Sequence, residues 1–245
     1  MDLAPHELVE SRSPAGVRQM FHDIAPTYDR LNHLLSFNID KRWRARVSKV
    51  LIQPEIGRVL DVCSGTGDLA LAFAARAQQI NTNPVILSAD FTPAMCRIAQ
   101  RKFLTAASAP RPLVADTLRL PFADNSFDLV SAAFGIRNVV DLRAGIREMI
   151  RVSRAAGKIA ILEFSHPRTP IFRQLYKFYF LRVLPTIGHI LSGTRAYTYL
   201  PNSVAAFPDT DEFVLLLKKE AGGKVVSHRL TFGIATLYIA EVQKA

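Results

Sequence analysis

The chain begins with a helical pattern and then alternates between two hydrophobic periodicities. Between Ser13 and Ile52, apolar residues recur three or four positions apart, which predicts amphipathic helices. Further on, short apolar runs alternate with stretches of helical spacing. The predicted strands are Val59–Val62, Val85–Ala89, Leu113–Ala115, Phe127–Ala133 and Lys158–Glu163, and the helices among them are Leu69–Ala77, Pro93–Phe103 and Leu142–Val152.

This alternation predicts a parallel sheet with helices on both faces, because near-continuous apolar strands are typical of strands buried on both sides. Helix Asp211–Glu220 is followed by strands Lys224–Leu230 and Ile234–Glu241. These two strands are too close in sequence for a parallel crossover, so they must pair antiparallel. The predicted fold class is therefore α/β, a Rossmann-like doubly wound sheet with an antiparallel C-terminal hairpin. That arrangement is typical of class I S-adenosylmethionine-dependent methyltransferases.

The chain of 245 residues is predicted to form one domain with elaborations. Its length and its hydrophobic content of 49% are enough for one substantial core. Its parts are an N-terminal helical cap (13–52), a cofactor-binding core (58–163), a basic apolar insertion (164–208) and a C-terminal helix and hairpin (209–245).

Two glycines follow the first predicted strand, at the edge where doubly wound sheets bind ligands. Gly65, Thr66, Gly67 and Ala70 satisfy the pattern G-x-G-x-x-A, which also fits dinucleotide-binding folds and a turn that binds nothing. The acids on either side of the loop favour one ligand class. Asp61 and Asp68 would oppose a pyrophosphate but attract the ammonium and sulfonium of S-adenosylmethionine.

Two further acids follow the next strands. Asp90 closes the second strand, where an acid commonly binds ribose hydroxyls. Asp116, with Thr117 beside it, follows the third strand and would place a polar group near an adenine amine. An alternative role for Asp116 as a helix N-cap stays open. An acid at each of three successive strand ends predicts an adenosine-containing cofactor.

The formal net charge of +10 is compatible with three interpretations: binding to nucleic acid, attraction to an anionic membrane surface, or a contribution to solubility alone. The stretch 164–208 contains no acid and fits a membrane-facing surface and a packed insertion equally well. Its cations include Arg168, Arg173, Lys177, Arg182 and Arg195. Nucleic acid is disfavoured as a substrate, because the fourth strand lacks an Asn/Asp-Pro-Pro-aromatic motif.

No segment predicts export or membrane crossing. Residues 1–10 carry three acids and lack the basic start and apolar stretch of a secretory signal. The run Tyr176–Leu191 is interrupted too often to span a bilayer. Cys63 and Cys96 have no spacing typical of disulfides or zinc, so we expect a cytoplasmic protein without a metal.

The chain resembles, nearly end to end, the ubiquinone and menaquinone biosynthesis C-methyltransferase family. The segments that carry the resemblance are 21–29 through Trp43, 65–68, 120–122, 134–139, 162–165 and 197–201. The segments 134–139 and 21–29 are the most specific of these. The chain departs from the family pattern at three positions. Ala133 stands where the family commonly has serine, Thr198 where arginine is frequent, and Gly223 where phenylalanine is frequent.

The resemblance implies carbon methylation of a polyprenylated hydroquinone, demethylmenaquinol or a ubiquinol precursor, at a membrane surface. It places cofactor contacts at Thr66, Asp90, Asp116 and Thr117. Peripheral membrane contact is therefore expected. Self-association into a homo-oligomer stays open.

Four residues are candidates for catalysis. Arg137 follows the fourth strand, where its fixed charge would hold a phenolate or an ordered water while Asn138 orients the ring oxygen. Tyr28 and Tyr199 would close the pocket, with ordinary core packing as their alternative role. For Arg137 the alternative is a surface ion pair with Asp141. A non-catalytic subunit that presents quinones to other enzymes is a further hypothesis.

Overall fold

The computed structural model describes residues 13–106, 109–167, 169, 173–174, 176, 178–184, 186–187 and 196–244. The α-helices are α1 (Pro14–Ile24), α2 (Tyr28–Leu35), α3 (Ile39–Leu51), α4 (Asp68–Gln79), α5 (Pro93–Phe103), α6 (Leu142–Val152), α7 (Ala196–Ala205) and α8 (Thr210–Ala221). The strands are β1 (Arg58–Val62), β2 (Val85–Asp90), β3 (Arg111–Val114), β4 (Phe127–Ala133), β5 (Ser153–Phe164), β6 (Gly222–Leu230) and β7 (Ala235–Val242).

The strands form one seven-stranded sheet in the order β3-β2-β1-β4-β5-β7-β6. Strands β1 to β5 pair in parallel, whereas β7 pairs antiparallel with both β5 and β6. The predicted parallel core and antiparallel C-terminal hairpin are thus confirmed. The strand order reverses at β1 and β4, and ligands of doubly wound sheets bind in the crevice at such a reversal.

Apolar side chains cover both faces of this sheet. On one face, Trp43 of α3 and Phe73 of α4 pack against β1 and β4. On the other face, Met149 of α6 and Phe213 of α8 pack against the same central strands. Burial on both faces explains the continuous apolar runs.

Helices α1, α2 and α3 form the predicted cap at the carboxyl edge of the sheet. Trp43 fastens α3 to the sheet: its ring lies 5.8 Å from that of Phe134, between centroids, and its indole N–H donates to the Thr231 hydroxyl at 2.8 Å. The cap therefore lies over the strand ends at which the sequence places its candidate ligands.

One local prediction is wrong, and one open alternative is excluded. Strand β5 begins at Ser153 rather than at the predicted Lys158, because an irregularity in its pairing with β4 absorbs the extra residues, with Ala156 at φ 60°. Asp116 caps no helix. Its carboxylate instead accepts a hydrogen bond from the Leu118 amide two residues later, at 2.9 Å, within a turn.

The acid-free stretch is described in part. Its residues Tyr179–Val183 form one wide helical turn, and Arg173 and Arg182 are exposed. Arg168, Lys177 and Arg195, like residues 1–12, lie outside the described residues. Over the described ranges, no helix combines the length and hydrophobicity that crossing a bilayer requires.

Candidate active site

A pocket at the glycine loop, here called the loop pocket, lies at the carboxyl ends of β1 and β2. Most of the predicted cofactor residues line it: Asp61, Gly65, Thr66, Asp90, Asp116 and Thr117. The Gly65 amide donates to the Asp90 carboxylate at 2.8 Å, and the Thr92 amide donates to its other oxygen at 2.8 Å. Because the loop holds this carboxylate, Asp90 has a fixed position at the pocket.

Gly67 has a packing role in addition to the predicted cofactor contact. It has φ 83°, a conformation that strains other residues, and it does not line the loop pocket. A Cβ atom there would lie 2.3 Å from the Phe103 ring. Gly67 therefore allows α4 to start close against α5, and its contact with a cofactor stays a prediction.

Asp61 has the geometry expected of a ligand for a cation. Its side chain is buried at 1% exposure; one carboxylate oxygen accepts from the Ser131 hydroxyl at 2.7 Å. The other oxygen has no hydrogen-bond partner among the described residues. Burial raises the pKa of Asp61 to about 7, with the Ser131 hydrogen bond and the Arg44 charge opposing the rise and Asp90 adding to it. An ammonium group would satisfy this oxygen, so the residue fits S-adenosylmethionine.

Asp68 does not contribute free negative charge, contrary to the expectation for this loop. Its carboxylate pairs with the Lys102 ammonium, and the Arg44 guanidinium lies 3.7 Å away. Burial tends to raise the pKa of Asp68, but these two cations outweigh it and the pKa is lowered. Its charge is balanced within the protein.

Thr66 and Lys102 also connect the loop to the cap. Both the Thr66 hydroxyl and the Lys102 ammonium donate to the Asp29 carboxylate of α2, the latter at 2.9 Å. The sequence predicts Thr66 as a cofactor contact. In the structure its hydroxyl is already occupied by the helix that covers the pocket.

A second cavity, the apolar pocket, lies beside the first. Arg137, Tyr28 and Tyr199, three of the four predicted catalytic residues, line it. Aromatic and aliphatic side chains form most of its wall, among them Ile24, Leu35, Trp43, Phe164, Tyr176 and Phe180. Two exposed aromatic residues also belong to its wall: Phe37 at 74% and Phe232 at 68% exposure.

Arg137 does not form the surface ion pair with Asp141 that stood as its alternative. Its side chain is 7% exposed, and its Nη1 donates to Glu163, a carboxylate at 0% exposure, at 2.8 Å. The same nitrogen donates to the Phe134 carbonyl, and Nε donates to the Ser203 hydroxyl at 3.2 Å. Asp141 instead caps α6. The guanidinium is thus fixed in the pocket wall.

Asn138 and Tyr199 are hydrogen-bonded to each other: the Tyr199 hydroxyl donates to the Asn138 side-chain oxygen at 2.9 Å. Asn138 lines the loop pocket, whereas Tyr199 lines the apolar pocket. The pair therefore spans the boundary between the two cavities. This is the position expected of residues that lie near both a methyl donor and a methyl acceptor.

Five residues line both pockets: Phe21, Tyr28, Asn32, Arg44 and Phe134. Sequence reasoning found Tyr28, and it included Phe21 and Phe134 in family-like segments. It assigned no role to Asn32 or Arg44, because a polar residue on an amphipathic helix gives no signal that distinguishes a pocket wall from a solvated face. Glu163, the buried partner of Arg137, lies in the family-like segment 162–165 but was assigned no role either.

Comparisons with known proteins agree with this geometry. The solved structure of an S-adenosylmethionine-dependent methyltransferase from Thermotoga maritima, described as a possible histamine N-methyltransferase, superimposes with a TM-score of 0.64. The alignment covers 92% of this chain and 99% of that one, at 16% identity. The fold is therefore that of the class I S-adenosylmethionine-dependent methyltransferases.

The sequence profile of the ubiE/COQ5 methyltransferase family matches residues 7–241, so the chain belongs to that family. A ubiquinone/menaquinone biosynthesis C-methyltransferase UbiE from Geobacter sulfurreducens is 47% identical, over 92% of this chain and 88% of the relative. A demethylmenaquinone methyltransferase from Thermus thermophilus is 43% identical, over 91% and 99%. The protein is a methyltransferase with S-adenosylmethionine as its donor, and both predictions are confirmed.

Proposed function

We propose that this protein transfers a methyl group from S-adenosylmethionine to a ring carbon of a polyprenylated hydroquinone, either demethylmenaquinol or a ubiquinol precursor. One observation carries the proposal: a pocket lined by the carboxylates of Asp61, Asp90 and Asp116 and an apolar pocket share a wall of five residues. The names of the relatives, which specify quinone biosynthesis, support the same reaction.

In the loop pocket, three chemical parts of the cofactor have a matching group. The Asp61 carboxylate suits the ammonium, Asp90 suits the ribose hydroxyls, and Asp116 and Thr117 suit the adenine. When bound, S-adenosylmethionine supplies an electrophilic methyl group on a sulfonium. The protein's task is then to align a carbon nucleophile with that methyl at about 3 to 3.5 Å.

The apolar pocket would bind the hydroquinone that accepts the methyl group. Its aromatic wall suits an aromatic ring and an isoprenoid tail, which offer apolar surface and few polar groups. A hydroquinone carbon becomes a stronger nucleophile as the neighbouring hydroxyl loses its proton. The fixed charge of Arg137 in the pocket wall favours that phenolate, and Asn138 is placed to orient the ring oxygen.

Methyl transfer tests this proposal directly. The purified protein is incubated with isotope-labelled S-adenosylmethionine and chemically reduced prenylated hydroquinones of the naphtho and benzo types, and the products are analysed by mass spectrometry. We expect one labelled methyl on a ring carbon of at least one ring type. Cofactor binding without methylation of any hydroquinone would instead support a non-catalytic, quinone-presenting subunit.

We also propose that the mouth of the apolar pocket contacts an anionic membrane surface. Phe37 and Phe232 are exposed at the pocket wall, and the exposed cations Lys41 and Arg42 follow on α3. An apolar patch with cations nearby is the combination that binds the headgroup region of anionic bilayers. Such contact would let a prenyl tail enter from the lipid.

Replacing both aromatics, Phe37→Ser and Phe232→Ser, is expected to weaken sedimentation with anionic phospholipid vesicles about tenfold or more, because two phenylalanines lose their transfer to an apolar phase. The matched control is Leu104→Ser with Leu215→Ser, two exposed apolar residues that do not line the pocket. Equal vesicle binding by both double variants would contradict this surface.

A further inference from the structure

Tyr176 is a buried tyrosine in the wall of the apolar pocket, and among the described residues its hydroxyl group has no partner. The residue is 8% exposed, and its ring stacks on Phe180 with centroids 4.9 Å apart. Its hydroxyl has no hydrogen-bond partner in the described part of the chain. A phenylalanine would provide the same stacking without burying a polar group.

Two other tyrosines of this pocket use their hydroxyls. Tyr179 donates to the Leu35 carbonyl at 2.5 Å, and Tyr199 donates to Asn138 at 2.9 Å. A buried hydroxyl without a partner costs about 1–3 kcal/mol. This cost is recovered if a ligand in the pocket supplies the missing partner.

The surroundings define which partner fits. Burial raises the pKa of Tyr176; the Arg137 charge opposes the rise and the Glu163 charge adds to it, so the phenol stays protonated and can donate a hydrogen bond. Glu163, the carboxylate that holds Arg137, likewise has one buried oxygen without a partner among the described residues. Unused hydrogen-bonding capacity is thus concentrated around Arg137, at the pocket in which we place the hydroquinone.

We propose that the Tyr176 hydroxyl donates a hydrogen bond to one of the two ring oxygens of the hydroquinone and is a substrate-recognition residue. This inference rests on the proposed function. It adds to Arg137 a second polar group by which a mostly apolar cavity distinguishes an oxygenated ring from the isoprenoid tail attached to it, because unpaired polar groups in a site reject ligands that cannot pair with them. The aromatic and aliphatic part of the wall would accept either.

The test compares Tyr176→Phe with Tyr238→Phe, a matched control whose buried hydroxyl lies outside both pockets and contacts Thr210 at 3.4 Å. Under reducing, anaerobic conditions, the substrate is a 1,4-naphthohydroquinone with one prenyl group. We expect Tyr176→Phe to raise KM about tenfold, the loss of one good hydrogen bond. The affinity for S-adenosylmethionine, measured by calorimetry, should match that of the control. Tm of the ligand-free Tyr176→Phe variant should be no lower than that of the wild type, because the substitution removes an unpartnered buried hydroxyl.

Two single-hydroxyl analogues, each lacking one of the two ring oxygens, then identify the contact as inhibitors. In Tyr176→Phe, the analogue that keeps the contacted oxygen should bind about tenfold more weakly, and the other should bind equally to wild type and variant. An equal loss for both analogues would indicate a packing role and overturn the inference.

Failure of this inference is distinguishable from failure of the proposed function. An active wild-type protein with an unchanged KM in Tyr176→Phe overturns the inference alone. A wild-type protein that methylates no hydroquinone overturns the proposed function, and this inference with it.

Discussion

Replacement of Asp61 by asparagine is expected to weaken binding of S-adenosylmethionine about 100-fold near pH 7.5. The reason is that the variant loses a buried carboxylate whose second oxygen has no partner in the described structure, and which we propose pairs with the ligand's ammonium. Loss of a buried, charged hydrogen bond costs about 2–5 kcal/mol. Isothermal titration calorimetry of the wild type and the variant measures the difference.

The same carboxyl predicts the pH dependence of cofactor affinity. Burial raises the pKa of Asp61 to about 7 in the free protein, and only the ionised form pairs with an ammonium. As the pH falls from 7.5 to 5.5 the group becomes protonated, and wild-type affinity should fall about tenfold or more. Asp61→Asn should lack this dependence, whereas the exposed-site control Asp124→Asn should retain it. A wild-type affinity that is flat across this range would contradict the assignment.

The second large effect is expected at Arg137. Replacing it with methionine leaves the fully buried Glu163 carboxylate without its cation, so the free energy of unfolding should fall by about 3–5 kcal/mol. Burial raises the pKa of Glu163, and loss of the Arg137 charge removes the main opposing effect. Because a raised carboxyl pKa makes folding less favourable as pH increases, the deficit should shrink toward pH 4.5. Urea denaturation at several pH values measures it.

A double variant separates stability from chemistry at this position. Arg137→Met combined with Glu163→Gln removes both charges, so stability should recover by at least half of the deficit while turnover on the hydroquinone stays low. The single variant Glu163→Gln provides the comparison, since it retains the cation. Full turnover by the double variant would show that the Arg137 charge has no part in the reaction.

The fold was predictable because its information is local. Each parallel strand is buried on both faces and therefore reads as a continuous apolar run, and the short connection between β6 and β7 permits only antiparallel pairing. The start of β5 was not predictable, because Ala156 takes a left-handed conformation in an irregular pairing. Nothing in an alanine indicates that conformation.

The site was predictable where strand ends position it. Asp61, Asp90 and Asp116 belong to or follow neighbouring strands, so topology alone brings them to one edge. Ion pairing was not predictable. Lys102 pairs with Asp68 from 34 positions away and Glu163 pairs with Arg137 from 26 positions away, and no periodicity records such contacts. Asp68 is therefore already paired within the protein, whereas cation binding by Asp61 stays a prediction.

The partition between the two cavities includes the side chains of Tyr28, Asn32 and Phe134, which line both. One substitution at these positions is therefore expected to change the affinities for both ligands at once. Steady-state rates for such variants cannot be apportioned between donor and acceptor. Separate equilibrium titrations with the cofactor and with the hydroquinone would resolve the two effects. Asp61 lines only the loop pocket and Tyr176 only the apolar pocket, so a substitution of either residue is expected to change the affinity for one ligand.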